Sequence, residues 1–116
     1  MPLKATAHDR LAKLEQRVVD ATQALRDAEA RSAAAEVAVE TARDAVRECH
    51  DLGSDPSEAI EALKLAKRDA EQAALGVEGV ARRVDRAERD VAGFRQESGL
   101  QLLEERAPGP ATWPGK

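Results

Sequence analysis

Bulky apolar side chains are scarce in this chain. Its 116 residues include one Phe (Phe94), one Trp (Trp113), one Ile (Ile60) and no Tyr. Against 24 Ala stand only 11 Leu and 9 Val. A globular core draws roughly 1.5–3 kcal/mol from each buried Val, Leu, Ile or Phe, and alanine supplies little of that. The composition therefore argues against a compact domain wrapped around an enclosed pocket, and with it against most enzyme classes. The single cysteine, Cys49, cannot form an intramolecular disulfide. No apolar run approaches the roughly 18 residues that a membrane-crossing helix needs, and the N-terminal Met1-Pro2-Leu3-Lys4-Ala5 lacks the apolar stretch of a signal peptide. The expected setting is the cytoplasm, or a virion or secretion particle. With 18 basic and 22 acidic residues, the net charge of −4 gives no general attraction to nucleic acid or membranes.

What is abundant is helix-forming sequence. Ala, Glu, Lys, Leu and Arg make up 66 residues, more than half the chain, a bias typical of coiled coils and long helices. Neither Gly nor Pro occurs from Leu3 to Leu52, which predicts helix 1 over about 7–52. Thr6, with Asp9 three positions on, is a weak start signal for it. The run Leu52-Gly53-Ser54-Asp55-Pro56-Ser57-Glu58 then stops one helix and starts another. Gly53 suits the left-handed residue past a helix end, Asp55 an N-cap, Pro56 the first helical position, and Glu58 a capping box. A turn at 53–55 this short favours antiparallel neighbours, with helix 2 over about 56–105. Residues 107–116, Ala-Pro-Gly-Pro-Ala-Thr-Trp-Pro-Gly-Lys, read as a flexible tail after a hairpin domain of 1–106.

Periodicity sets the kind of helix. Leu11, Leu14, Val18, Ala21, Leu25, Ala28, Ser32, Ala35, Val39, Ala42, Val46 and Cys49 recur at alternating spacings of three and four. So do Ala59, Leu63, Ala66, Ala70, Ala73, Val77, Val80, Val84, Ala87, Val91 and Phe94. Unbroken heptads of this kind predict a coiled-coil seam. The fold class is thus all-α, a long antiparallel two-helix coiled-coil hairpin with an alanine-rich seam, each helix on the order of 70 Å long at about 1.5 Å per residue. A register whose paired residue numbers add to 105 sets Leu11 by Phe94, Leu25 by Val80, Ala42 by Leu63 and Val46 by Ala59, mostly large against small. It also brings Arg10 toward Glu97 and Arg17 toward Asp90, while Glu15 near Glu88 opposes it. A register of 112 would set Leu11 by Gln101. Ser32, Ala35, Ala70 and Ala73, beside Gly76 and Gly79, form a thin central section.

Apolar residues also recur off the seam. Val19, Ala30, Ala33, Ala34 and Val37 do so in helix 1; Ile60, Leu65, Ala74, Leu75, Ala81, Leu100, Leu102 and Leu103 do so in helix 2. One seam with this much alanine is a weak match for a backbone ordering cost of ~1–2 kcal/mol per residue. Oligomerisation into a four-helix bundle, or docking to a helical partner, is therefore expected. Val37, Ile60, Leu75, Leu102 and Trp113 are the candidate partner contacts, because Trp is enriched at binding hot spots.

Two clusters invite a chemical reading. Cys49-His50-Asp51 places a thiol beside an imidazole, but adjacent helical residues point about 100° apart and further metal ligands are missing. No catalytic residue, metal or cofactor is expected, and no small-molecule substrate. Arg82, Arg83, Arg86 and Arg89 form a basic face that could meet phosphates. Asp85, Glu88 and Asp90 interleave with them, so the plainer expectation is local pairing, Asp85 with Arg89 and Arg86 with Asp90.

In length the hairpin resembles the small WxG-type proteins of bacterial secretion systems, whose mark is Trp-x-Gly in the turn. Here the turn reads Leu52-Gly53-Ser54 and Trp113 lies in the tail, so no family is assigned. Prefoldin-type hairpins insert β-hairpins, for which three turn residues leave no room. The expected function is a non-enzymatic structural or interaction module, in a setting such as a phage or secretion assembly. The alternative is a nucleic-acid-binding regulator acting through the Arg82–Arg89 face.

Overall fold

A computed structural model of the chain describes residues 6–106. The described residues form helices α1 (Ala7–Leu52), α2 (Ser57–Glu97) and α3 (Gly99–Arg106), with no strand. The two long helices pack against each other as a helical hairpin. The structure divides into two compact units. The unit of residues 22–82 holds the turn and the helical segments on either side of it. The other pairs the start of α1, through Ala21, with the part of α2 from Arg83 onward and with α3.

All twelve heptad positions of α1, from Leu11 to Cys49, are buried or half-buried, and so are all eleven of α2, from Ala59 to Phe94. The seam set by the 3-4 spacing is thus the shielded face of both helices. Shielding is incomplete, because two helices cover each other from one side only. The buried apolar residues are Ala7, Ala21, Ala28, Val39 and Val91. The seam leucines and Phe94 keep part of their surface in water. Among the described residues no polar or charged side chain is buried.

The turn is built by backbone hydrogen bonds. Gly53 has φ of +70°, the left-handed region. Its N–H donates to the His50 carbonyl at 3.2 Å, and that of Ser54 to the Cys49 carbonyl at 2.8 Å. This double closure of the last carbonyls is the Schellman arrangement, which calls for a residue without Cβ at its left-handed position. The next helix starts on Asp55, whose Oδ1 accepts from the Ser57 N–H at 3.0 Å and from the Ser57 hydroxyl at 2.7 Å. Those two bonds hold the Asp55 carboxyl below its ordinary value, the hydroxyl having the larger effect. Among the described residues it is Ser57, and not Glu58, that completes this cap.

Helix 2 is not one continuous element to 105. α2 ends at Glu97, and Ser98 takes a turn conformation before α3 begins at Gly99. The backbone bonds persist, from Ser98 N–H to the Phe94 carbonyl and from Leu102 N–H to the Ser98 carbonyl. The break falls where Gly93, Ser98 and Gly99 lower helix propensity together. By contrast α2 runs through Gly76 and Gly79 without interruption.

The pairing also differs from the expected ion pairs. The cross-helix bridge joins Arg95 to Glu15 at 2.5 Å, where Arg10–Glu97 and Arg17–Asp90 were expected. Glu15 and Glu88 line one shallow groove together with Arg95, so that arginine sits where the two carboxylates would otherwise repel. Both partners of the bridge are about half exposed, which limits its worth to about 0–1 kcal/mol.

Gly53→Ala should destabilise the chain by about 1–2 kcal/mol, the cost of placing a Cβ in the left-handed region. No neighbouring atom lies within 4 Å of the added Cβ, so the loss is one of backbone strain alone. Urea unfolding followed by circular dichroism measures it, and an unchanged midpoint would contradict this account of the turn.

Candidate interaction surfaces

The first turn of α1 is closed by two sets of side chains. Thr6 and Asp9 exchange hydrogen bonds: the Asp9 N–H donates to Thr6 Oγ1 at 3.0 Å, and the Thr6 N–H to Asp9 Oδ2 at 3.1 Å. The remaining two donors are taken from far along the sequence. Ala7 N–H donates to Glu105 Oε2 at 2.8 Å and His8 N–H to Glu105 Oε1 at 3.0 Å. His8 Nδ1 lies 3.0 Å from the same Oε1. A carboxylate at a helix N-terminus also meets the positive end of the helix dipole. The backbone bonds from Ala7 and His8 are the chief reason that the Glu105 carboxyl is held below its ordinary value. The helix end is therefore filled by the chain's own anion. Sequence reading missed this clasp, since nothing in a local pattern ties residue 105 to residue 7; the signal available was an unfilled first turn with an acidic residue near the far end of the hairpin.

At the turn, Cys49 is half-buried on the seam while His50 and Asp51 are exposed. Among the described residues, no three His, Cys, Asp or Glu side chains come together in a way that could hold a metal ion. The grooves along the seam are shallow and open. Arg17, Asp20, Arg83, Arg86 and Asp90 rim one of them, with Ala21 and Ala87 at its floor.

Arg82, Arg83, Arg86 and Arg89 are all exposed. None of them forms an ion pair among the described residues. The expected pairs Asp85–Arg89 and Arg86–Asp90 are not made. Local pairing is found elsewhere at i,i+3, in Glu40–Arg43, Asp44–Arg47 and Glu61–Lys64.

The apolar residues off the seam divide into two groups. Val37 and Leu75 stand out into solvent at 66% and 62% exposure. Ile60 and Leu102 are half-buried, their surfaces partly used within the hairpin. Trp113 lies outside the described residues. Val19, Leu52, Leu65, Leu100 and Leu103 are also largely exposed. The sequence pattern marks Leu52 only as a helix end, and Leu65, Leu100 and Leu103 only as part of a stripe.

These features define a helical hairpin with a capped entrance, a capped turn and uncovered apolar side chains. No helix among the described residues is long and apolar enough to cross a membrane. No protein-family model, curated protein or solved structure matches the chain.

The clasp predicts a local, pH-dependent effect. A lowered carboxyl value means that its contribution is fully present above the ordinary glutamate value of 4.5. It is lost as pH falls through the lowered value. Glu105→Gln should remove that dependence and reduce amide hydrogen-exchange protection at Ala7 and His8, leaving Val39 unchanged. Equal protection at Ala7 in both proteins would rule the clasp out in solution.

Proposed function

We propose that this protein is a non-enzymatic interaction module, a helical hairpin that self-associates or docks a helical partner through apolar residues left off its seam. The observation that carries this reading is the imbalance of burial. The buried apolar side chains are Ala and Val only, whereas Leu52, Leu65, Leu75, Leu100 and Leu103 are 57–78% exposed. Isolated exposed apolar residues are ordinary. Five leucines standing out into solvent while none is buried, among the described residues, leaves much of the large apolar area free for another surface. Association would cover them and add the burial that a two-helix seam lacks. A phage or secretion assembly in the cytoplasm or in a particle is a fitting setting for such a module.

A second reading is supported by the arginine face. Four exposed arginines without an ion-pair partner among the described residues can approach phosphates with no such pair to break, which favours nucleic acid as the ligand.

Light scattering coupled to size-exclusion chromatography tests the first reading. The expected mass is at least twice 12.5 kDa, rising with concentration, with thermal stability rising in parallel. A cooperatively folded monomer at all concentrations would sink self-association and leave only the partner form. For the second reading, replacing all four arginines by Ala should abolish binding to RNA or DNA and its salt dependence; unchanged or absent binding eliminates it.

A further inference from the structure

The two flanks of the hairpin unit of residues 22–82 are unlike each other. One carries Glu29 and Glu36 beside Ala74 and Val77. The other carries Arg31 beside Asp69, Gln72 and Gly76, which fixes the direction in which its neighbours at helical spacing point. On this second flank, α1 continues from Arg31 through Ala34, Ala38, Thr41 and Ala45 to Glu48 and Leu52, and α2 presents Ala62 and Leu65, with Asp69 one turn further on. All of these are exposed, Leu52 at 72% and Leu65 at 57%. Between Arg31 and Glu48 this strip of α1 holds no charge. It begins with a cation and ends with an anion, and neither has an ion-pair partner among the described residues.

That order is self-complementary. Under a two-fold axis running past Thr41 and Leu65, two copies of α1 lie antiparallel. Ala38 of each then faces Ala45 of the other, and the two Leu65 side chains meet at the axis. Leu52 covers the stem of Arg31 across the interface, and that guanidinium reaches Glu48 one turn away, twice by symmetry. The levels within the hairpin are compatible with this, since Arg31 shares a groove with α2 residues from Asp69 to Val80, a stretch whose middle puts Thr41 near Leu65. We infer that this flank is the surface on which a second copy of the chain packs, antiparallel, with Ala38 and Ala45 at the contact and Arg31–Glu48 bridges at both ends. A face about 20 Å wide, two helices at 8–10 Å spacing, and about 30 Å long at 1.5 Å per residue covers roughly 600 Å² per copy. The total of about 1,200 Å² is at the threshold for a specific interface. Small residues in the middle permit close approach of the two backbones, and the leucines supply the apolar area. The inference rests on the self-association reading and assigns it a face.

Two measurements test it in full-length protein. In a Cys49→Ala background, Leu65→Cys should give a covalent dimer on oxidation, and Val37→Cys should not. By light scattering, Arg31→Glu and Glu48→Arg should each weaken the dimer by about tenfold or more, and the double variant should recover it. Circular dichroism of each variant checks that the helices remain intact. Recovery by the charge swap is an outcome that general destabilisation cannot produce. If the parent protein is a monomer throughout, both the face and self-association are wrong. If it is a dimer that ignores both charge reversals, or one that cross-links through Val37→Cys rather than Leu65→Cys, this face is wrong and self-association stands.

Discussion

The seam between α1 and α2 is the constraint on which the rest depends. Two helices can shield each other from one side only, so every side chain on the seam keeps a flank toward water. Ala21, Ala28, Val39 and Val91 are buried, while most of the seam, Ala35 and Ala66 as much as Leu11, Leu25 and Phe94, remains half-exposed. An alanine-rich seam accepts a shallow core in return for close approach of the helices. The result is a chain whose stability is spread thinly along its length, with no central cluster that could hold it alone.

Under that condition the helix ends carry unusual weight. The first four N–H groups and the last four carbonyls of a helix are orphaned, and a thin core does little to offset them. The chain closes three of these ends with specific groups. Thr6, Asp9 and Glu105 take the first donors of α1. Gly53 and Ser54 take its last carbonyls. Asp55 with Ser57 starts α2. The Glu105 clasp differs from the others, since it joins α3 to the first turn of α1 and so fixes which residues lie opposite one another at that end.

Sequence reading went furthest where the governing interaction is periodic or local. The 3-4 spacing from Leu11 to Cys49 and from Ala59 to Phe94 identified the shielded faces, because each position's burial follows from its angle about the helix. Gly53 was legible because a left-handed residue has a strong composition preference. The break at Ser98 was not, because Ser and Gly at 98 and 99 are each tolerated within helices and their joint effect depends on what packs nearby. Long, exposed side chains were read least well. Arg95 reaches Glu15, and Arg10 and Arg17 do not find the acids that an ideal register offered. Such pairs differ by less than about 1 kcal/mol, so small shifts in level between helices redistribute them. The clasp was invisible for a different reason: Glu105 is nearly a hundred residues from Ala7, and only the closed hairpin makes them neighbours.

The uncovered leucines follow from the same economy of burial. A hairpin stabilised by its own bulky core would have little use for Leu52, Leu65 or Leu75 on its surface, and selection for solubility would favour replacing them. Their exposure is what an association surface requires: anchors of apolar area that another helix can cover. On the proposed reading, folding and assembly are then linked. Each copy that joins covers residues that the lone hairpin cannot, so the stability of the helices rises with protein concentration. The thin seam ceases to be a weakness under that linkage, because it keeps the unassembled chain only marginally ordered and concentrates the driving force for folding in the act of association.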